Sequence, residues 1–345
     1  MRYRYLNALM KASLAKLASF GQRLVALSVG RPAAVNTHAP LLDAEELAQL
    51  MHRIQAQQAT PYFRESQHRH AGDFRSVYLG SGLDFEEARP YQPGDDVRGM
   101  DWRTTARTAR PHIKIYREEH QPALHVVIDR GPSMRFGTRT RLKVTQAARI
   151  AATLGFGAAR ANTCIGGTLW QPGAMTLPCR NGTEGAMQLA QAVIAPCPPL
   201  TDPVAAEMPL LLALLDRLDA QLPRGSNVVL ISDFHALSEA DMPALLRLAS
   251  RHQVQAVQVL DVTEQALPNV GLIAFQDAAS TARCWVDTGR REVRAAYQAH
   301  ASGSHAAQQA LFRRIGVRLH CLLADANPYA LLQEMRLTRM TQPAV

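Results

Sequence analysis

Apolar and polar positions follow two regular patterns along most of the chain. Three predominantly apolar runs, Ala123–Ile128, Asn227–Ile231 and Val254–Leu260, each end beside an aspartate or close to one. Runs of this kind predict strands that are buried on both faces. Helical patterns lie between them, among others at Lys143–Ala161 and Met242–His252. Strands that alternate with helices in this order predict an α/β fold with a doubly wound, mostly parallel sheet of Rossmann-like topology.

Further patterns of the same two kinds complete this α/β domain, which we place at residues 121–340. Its remaining predicted elements include strands at Thr163–Trp170, Met175–Cys179 and Val317–Leu323, and helices at Glu184–Ile194, Val204–Leu222 and Arg291–Ile315. A further helix is predicted before the domain, at Leu41–Gln58. A Pro-Gly pair between the first two of these strands indicates a turn.

The first 40 residues differ from the rest of the chain and form a separate predicted region. Apolar residues recur at helical spacing from Leu6 to Leu24, with basic residues mostly on the other side. Such a basic amphipathic helix, within residues 1–30, can lie weakly on an anionic membrane surface or on a partner. Two alternatives stay open, a disordered arm and a start codon placed too far upstream.

The formal net charge of +9 is concentrated in this N-terminal arm. Six Lys/Arg residues and no acid precede Asp43, so the remaining chain carries about +3. This is a weak field for a nucleic-acid-binding surface, and nucleic acid is not an expected partner. No run of about 18 apolar residues occurs, which predicts no transmembrane helix.

The five cysteines contain no Cys-x-x-Cys pair, and their number is odd. This pattern favours reduced cysteines over a disulfide framework or a zinc site. No secretory signal is visible at the start of the sequence. The expected location is therefore the cytoplasm.

Two of the predicted strands end in an aspartate that has hydroxyl side chains nearby. Asp129 is followed by Ser133, and Ser232 precedes Asp233. In an open α/β sheet, ligands bind beyond the carboxyl ends of the strands. Carboxylates and hydroxyls that converge there suit a hard divalent cation such as Mg²⁺, although helix capping alone also explains aspartates at these positions.

The order of these residues resembles the metal-ion-dependent adhesion site of von Willebrand factor type A domains. The resemblance implies four metal ligands, which are Asp129, Ser133, Thr201 and Asp233. Gly131 departs from the pattern, because it stands where the loop carries its first serine. One direct ligand is missing, so the site is degenerate, Mg²⁺ is an uncertain cofactor, and no other cofactor is expected.

Residues 80–119 carry a more specific pattern, rich in both acids and bases. They contain a Gly-Asp-Asp-x-Arg-x-x-Asp-Trp segment after an Arg-x-Tyr pair. The whole segment closely resembles the signature of the bacterial family called domain of unknown function 58, in which it precedes a type A-like domain. The signature positions are Arg89, Tyr91, Gly94, Asp95, Asp96, Arg98, Asp101 and Trp102. We assign them to a family-specific region at residues 41–120, as either a structural clasp or a partner contact.

The resemblance to this family also implies a function. Its members are typically encoded beside MoxR-type AAA ATPases, with which they are thought to assemble or activate protein complexes, and this chain resembles the short form without transmembrane helices. The expected function is therefore a non-enzymatic adaptor for a protein partner. The alternative is a Mg²⁺-dependent hydrolase that uses Asp129 and Asp233.

Overall fold

A computed structural model describes residues 24–27, 40–56, 83–92, 97–118, 123–198, 208, 210–277 and 283–341. The chain divides into two compact units, residues 67–121 and the remainder, and each is described by itself. None of the helices within these ranges is long and apolar enough to cross a membrane.

Strands and helices alternate through most of the described ranges. The strands are β1 (Leu24–Leu27), β2 (Leu83–Pro90), β3 (His112–Glu118), β4 (Leu124–Asp129), β5 (Cys164–Trp170), β6 (Met175–Asn181), β7 (Asn227–Ser232), β8 (Gln253–Leu260), β9 (Leu272–Asp277), β10 (Arg283–Asp287) and β11 (Arg318–Leu323). The helices are α1 (Ala44–Ala56), α2 (Trp102–Thr108), α3 (Lys143–Ala159), α4 (Gly182–Ile194), α5 (Leu211–Gln221), α6 (Met242–Arg251), α7 (Val262–Gln265), α8 (Arg291–Arg314) and α9 (Pro328–Thr341).

Six strands of the larger unit form the central sheet, in the order β11-β8-β7-β4-β5-β6. All neighbouring pairs are parallel except β5 and β6, which are antiparallel. The predicted α/β fold with a mostly parallel sheet is therefore confirmed. The order and directions of these strands make this unit a von Willebrand factor type A-like domain.

The central strands are apolar throughout because helices cover both faces of the sheet. In β7, Val229 and Ile231 pack into one core cluster, whereas Val228 and Leu230 pack into a second one on the opposite face. The first cluster is completed by α1, α3, α4 and α9, and the second by α5, α6 and part of α8. This arrangement explains why the strands show no alternation of apolar and polar residues.

Helix α1 belongs to the larger unit, which differs from the predicted region at residues 41–120. Its Leu50 and Ile54 are buried in the first core cluster. The Tyr329 hydroxyl donates a 2.8 Å hydrogen bond to the Leu50 carbonyl, and the Leu41 N–H donates to the Ile194 carbonyl at 2.8 Å. The smaller unit thus begins after this helix, because apolar packing joins α1 to α3 and α9 of the larger unit.

A second, three-stranded sheet of the larger unit has the antiparallel order β1-β9-β10. Leu24, the last residue of the predicted N-terminal helical pattern, begins strand β1. The prediction of a helix is therefore wrong at this residue, because pairing with β9 determines the local structure. The rest of the predicted arm lies outside the described residues.

The expectation of unbonded cysteines is also corrected. Cys164 and Cys179 form a disulfide, with their Cα atoms 5.6 Å apart. Because β5 and β6 are antiparallel neighbours, they bring together two cysteines that are 15 residues apart in the sequence. Cys197, Cys284 and Cys321 are free.

Candidate functional site

Three neighbouring strands of the central sheet end in a buried aspartate. Asp129 is the last residue of β4, Asp233 follows β7, and Asp261 follows β8. Because these strands are parallel and adjacent, the three carboxylates lie at the same carboxyl edge. Each of them has a different set of hydrogen-bond donors, and the differences define the site.

Asp129 receives its hydrogen bonds from neutral groups. The Ser232 hydroxyl donates to Asp129 Oδ2 at 2.6 Å, and the Gly131 N–H donates to Oδ1 at 2.8 Å. Burial, reinforced by the negative charge of Asp233, raises the pKa of Asp129 to about 7. A buried carboxylate without a cation in contact resists ionisation.

Asp233 receives a charged donor instead. The Lys143 ammonium, which is fully buried, donates to Asp233 Oδ2 at 2.9 Å, and the His235 N–H donates to Oδ1 at 3.1 Å. Although burial opposes ionisation, the charge of Lys143 outweighs it and lowers the pKa of Asp233. The pKa of Lys143 is raised, because Asp233 and Glu264 together overcome the effect of its own burial.

Glu264 is the second carboxylate in contact with the ammonium. It accepts from Lys143 Nζ through Oε1 at 2.6 Å, and the same oxygen lies 3.2 Å from His235 Nε2. Burial works against ionisation of Glu264, but the Lys143 charge lowers its pKa. Lys143, Asp233, Glu264 and His235 therefore form one connected group, here called the lysine cluster.

Asp261 fixes the loop that leads into the lysine cluster. It accepts two hydrogen bonds from Thr138, from the N–H at 2.9 Å and from the hydroxyl at 2.6 Å. Its own N–H donates to Glu264 Oε2 at 2.8 Å, which closes a capping box on α7 and orients the Glu264 side chain. The segment between β4 and α3 therefore begins at Asp129, the last residue of β4, and ends at Lys143, the first residue of α3, so its two ends are fixed by these elements.

Only some of the residues predicted as metal ligands converge in the structure. Asp129 and Asp233 lie at the same edge, as predicted. Ser133 is half-buried in a 3-10 helix (Pro132–Arg135) that follows Gly131. Thr201 lies outside the described residues. Arg130 does not turn toward the aspartates, because its guanidinium donates to the Ala195 carbonyl at the end of α4.

The residues present do not fit a divalent cation while Lys143 is in place. Mg²⁺ needs several oxygen ligands at about 2.0–2.1 Å. Both carboxylate oxygens of Asp129 and both of Asp233 accept hydrogen bonds from protein groups. Ligand-type atoms of Asp233, His235 and Glu264 do lie within 4.8 Å of one another, but the ammonium contacts two of these three residues. Binding at the predicted metal site stays a prediction, and this geometry argues against it.

Sequence reasoning missed Glu264 and the role of Lys143. The Asp261-x-x-Glu264 spacing after a strand is a capping-box pattern and was a usable signal. A lysine at the first position of a helix is unfavourable for the helix dipole, which was a second signal that it has a carboxylate partner.

The apolar start of α5 lies beside the Asp129 loop. Helix α5 leads into the beginning of β7, so its own first residues lie at the carboxyl edge of the sheet. A Cβ atom added to Gly131 would lie 3.1 Å from Met208 Cε, which places Met208 directly against the loop. Leu210, two residues on, is 74% exposed. The surface formed by the Asp129 loop and the start of α5 thus places an exposed apolar side chain beside the lysine cluster, whose charges are paired within the protein.

A cleft of about 370 Å³ adjoins the lysine cluster. His235 and Glu264 line one wall, and Tyr297, His305 and Gln308 of α8 line another. The cleft joins a polar network, since Gln308 donates to the Phe234 carbonyl at 3.0 Å. The cleft therefore meets the lysine cluster at His235 and Glu264, whereas Lys143 and Asp233 are buried.

The signature residues lie mostly in the smaller unit, which contains the antiparallel pair β2-β3 and helix α2. Asp101 caps α2 by accepting from the Arg103 and Thr104 N–H groups at 3.1 and 3.2 Å. Trp102 is 70% exposed. The Tyr91 N–H donates to the Pro111 carbonyl.

Other signature residues are described in part. Arg89 Nη1 donates to the Pro90 carbonyl at 3.2 Å. Arg98 lies in a short 3-10 helix, Val97–Gly99. Gly94, Asp95 and Asp96 lie outside the described residues. Asp101 thus has a helix-capping role, and the predicted choice between a clasp and a partner contact stays open for the others.

The fold and the site together define a doubly wound, von Willebrand factor type A-like α/β domain with a lysine–carboxylate cluster at the carboxyl edge of its sheet. Residues 87–307 match the model of the family described as protein of unknown function DUF58. This match covers more than half of the chain, so the chain belongs to the DUF58 family, as its signature implied.

Two curated relatives are similar to this chain. The uncharacterized proteins Rv1480 of Mycobacterium tuberculosis (strain H37Rv) and Mb1516 of Mycobacterium bovis are each 34% identical to the chain over 210 residues. The alignment covers 61% of this chain and 65% of either relative. The chain thus matches about two thirds of the length of these relatives.

Similar solved structures include BatB from Bacteroides thetaiotaomicron, with 12% identity and a TM-score of 0.41 over 64% of this chain and 100% of the other. A von Willebrand factor type A protein from Catenulispora acidiphila has 10% identity and a TM-score of 0.34 over 66% of this chain and 43% of the other. Because these scores are low, the fold assignment rests on the strand order and directions described above.

Proposed function

We propose that this chain is a non-enzymatic protein-interaction module and that its partner binds at the carboxyl edge of the central sheet. The observation that carries the proposal is the pairing of the site's carboxylates within the protein, next to an exposed Leu210. Because these carboxylates are paired within the protein, they are not free to hold an ion, and the exposed apolar side chain beside them supplies contact area for a partner.

The proposed partner is a MoxR-type AAA ATPase, and the proposed outcome is assembly or activation of a protein complex. The support for this partner is the family resemblance of the sequence. The proposed location is the cytoplasm. Disulfides are rare there, so the Cys164–Cys179 disulfide counts against this location. A pair that is fully oxidised in cell extracts, trapped by rapid thiol blocking, would overturn it.

An exposed residue tests the binding face better than a buried one. Replacing Asp233 leaves Lys143 with a single carboxylate and disturbs the fold, whereas Leu210→Asp changes only the surface. We expect Leu210→Asp to weaken binding of the purified MoxR-type ATPase at least about tenfold, because desolvating a charge at an interface core is costly. Biolayer interferometry measures this directly.

Leu246→Asp is the matched control. Leu246 is also an exposed leucine, 53% accessible, and it lies one turn into α6, whereas Leu210 immediately precedes α5. The control should bind like the wild type, and both variants should keep the wild-type melting temperature. Equal binding by Leu210→Asp and the wild type would remove this face from the proposal.

The alternative is a Mg²⁺-dependent hydrolase that uses Asp129 and Asp233. It needs carboxylate oxygens that are free to hold the ion, whereas hydrogen bonds from the protein engage all four. Turnover of a phosphate ester that requires Mg²⁺ and is lost in Asp129→Asn would replace the adaptor proposal with this one.

A further inference from the structure

We infer that the Lys143 ammonium is the resident cation of this site and that it takes the place a divalent metal ion holds in a metal-dependent domain of this fold. The inference concerns the chain alone and does not depend on the proposed partner. It rests on charge balance, on geometry and on the way the lysine is held.

Charge balance requires a cation at this edge of the sheet. Asp233 and Glu264 are both buried, with side chains only 2% and 8% exposed. Two carboxylates in such a place are stable as anions only when a positive charge compensates them. Lys143 Nζ lies 2.9 Å from one and 2.6 Å from the other, and its side chain is 0% exposed. One compensating charge is therefore covalently attached, and His235 Nε2, 3.2 Å from Glu264 Oε1, supplies a second when it is protonated.

The position of the ammonium also excludes a metal ion. An ion bound to Asp233 Oδ2 would share that oxygen with Lys143 Nζ and would face a like charge in a buried environment. The missing hydroxyl at position 131 fits this arrangement, since an ammonium makes three hydrogen bonds and needs fewer oxygen ligands than Mg²⁺ does.

The lysine is held in one position by its surroundings. The Lys143 N–H donates to the Phe136 carbonyl at 2.8 Å, and its ammonium lies 5.9 Å from the centre of the Phe136 ring. Glu264 is oriented in turn by its bond to the Asp261 N–H. The loop before α3 thus fixes the cation, and the residue that follows β8 orients one of its two anions.

The test is a metal titration of the full chain and of Lys143→Met, with Mg²⁺ and Mn²⁺ as the probes. For the wild type we expect no saturable heat in calorimetry up to millimolar metal and no change in melting temperature with either ion or with a chelator. Lys143→Met should melt at a lower temperature, and Mn²⁺ should raise that temperature in a concentration-dependent way, because an ion can then compensate the carboxylates.

Two further variants sharpen the result. Gly131→Ser combined with Lys143→Met should bind Mn²⁺ more tightly than Lys143→Met alone, since Gly131 has an ordinary φ of −64° and a serine there adds an oxygen. Arg149→Met is the control. It removes another ion pair of α3, with Glu46 at 2.8 Å, and should show no response to metal.

Saturable binding of Mg²⁺ or Mn²⁺ by the wild type that is lost in Asp233→Asn would overturn the inference. So would a Lys143→Met variant that melts like the wild type and ignores metal. Should Lys143→Met be recovered unfolded even with Mn²⁺, the wild-type titration decides alone: absence of binding supports the inference and saturable binding contradicts it.

Discussion

Asp129 and Asp233 end adjacent strands of the same sheet, yet their surroundings differ in one respect that determines their chemistry. Neutral donors surround Asp129, and burial raises its pKa to about 7. An ammonium contacts Asp233 and lowers its pKa. One positive charge, placed by the first residue of α3, therefore separates a carboxyl group whose pKa is raised from one whose pKa is lowered.

Removal of the Lys143 ammonium should cause the largest loss of stability. Lys143→Met leaves Asp233 and Glu264 buried without their partner, and breaking such a group costs about 3–5 kcal/mol. Urea denaturation at neutral pH, followed by far-UV circular dichroism, measures the loss. A change of less than about 1 kcal/mol would show that Lys143 is not the charge that holds the two carboxylates.

A smaller loss is expected when only the ionised aspartate is neutralised. Asp233→Asn keeps the shape of the side chain but removes one charge-assisted hydrogen bond to Lys143, which is worth about 1.5–3 kcal/mol. Glu264 still compensates the ammonium in this variant. The same denaturation experiment should place Asp233→Asn between the wild type and Lys143→Met, and a loss larger than that of Lys143→Met would contradict the account.

The smallest loss of stability is expected when Asp129 is replaced, and the contribution of Asp129 to stability depends on pH. The folded pKa of Asp129 is raised above the value near 3.9 of an unfolded chain, so the folded state retains a proton that the unfolded state releases. The contribution of Asp129 to stability is therefore full below about pH 4 and is lost as the pH rises through about 7.

Asp129→Asn should remove this dependence. At pH 5 the variant should lie within about 1 kcal/mol of the wild type, because an amide resembles the protonated acid. Between pH 5 and 8 the wild type should lose stability relative to the variant. Paired urea titrations across this range measure the difference, and two parallel pH profiles would show that Asp129 is ionised in the folded state.

The sheet was predictable from the sequence because its strands are buried on both faces. Strand β7, for example, was predicted at Asn227–Ile231 and spans Asn227–Ser232, since a run of apolar residues indicates such a strand directly. Strand β1 was not predictable in the same way. Pairing with β9, which is nearly 250 residues away in the sequence, determines its structure, and local helical spacing misled the prediction at Leu24.

The site was only half predictable for a related reason. The sequence placed Asp129 and Asp233 at strand ends, and parallel strands bring such residues together. It did not indicate which cation they receive. Lys143 reaches Asp233 across 90 residues of sequence and Glu264 across 121, so only the folded structure brings these three charges into contact.

A crystal structure grown with Mn²⁺ and measured at the manganese absorption edge tests the central claim most directly. The account predicts continuous side-chain density from Lys143 to a position between Asp233 and Glu264, with no anomalous peak at the carboxyl edge. An anomalous peak about 2.2 Å from Asp233 or Asp129, with the Lys143 side chain displaced, would contradict it.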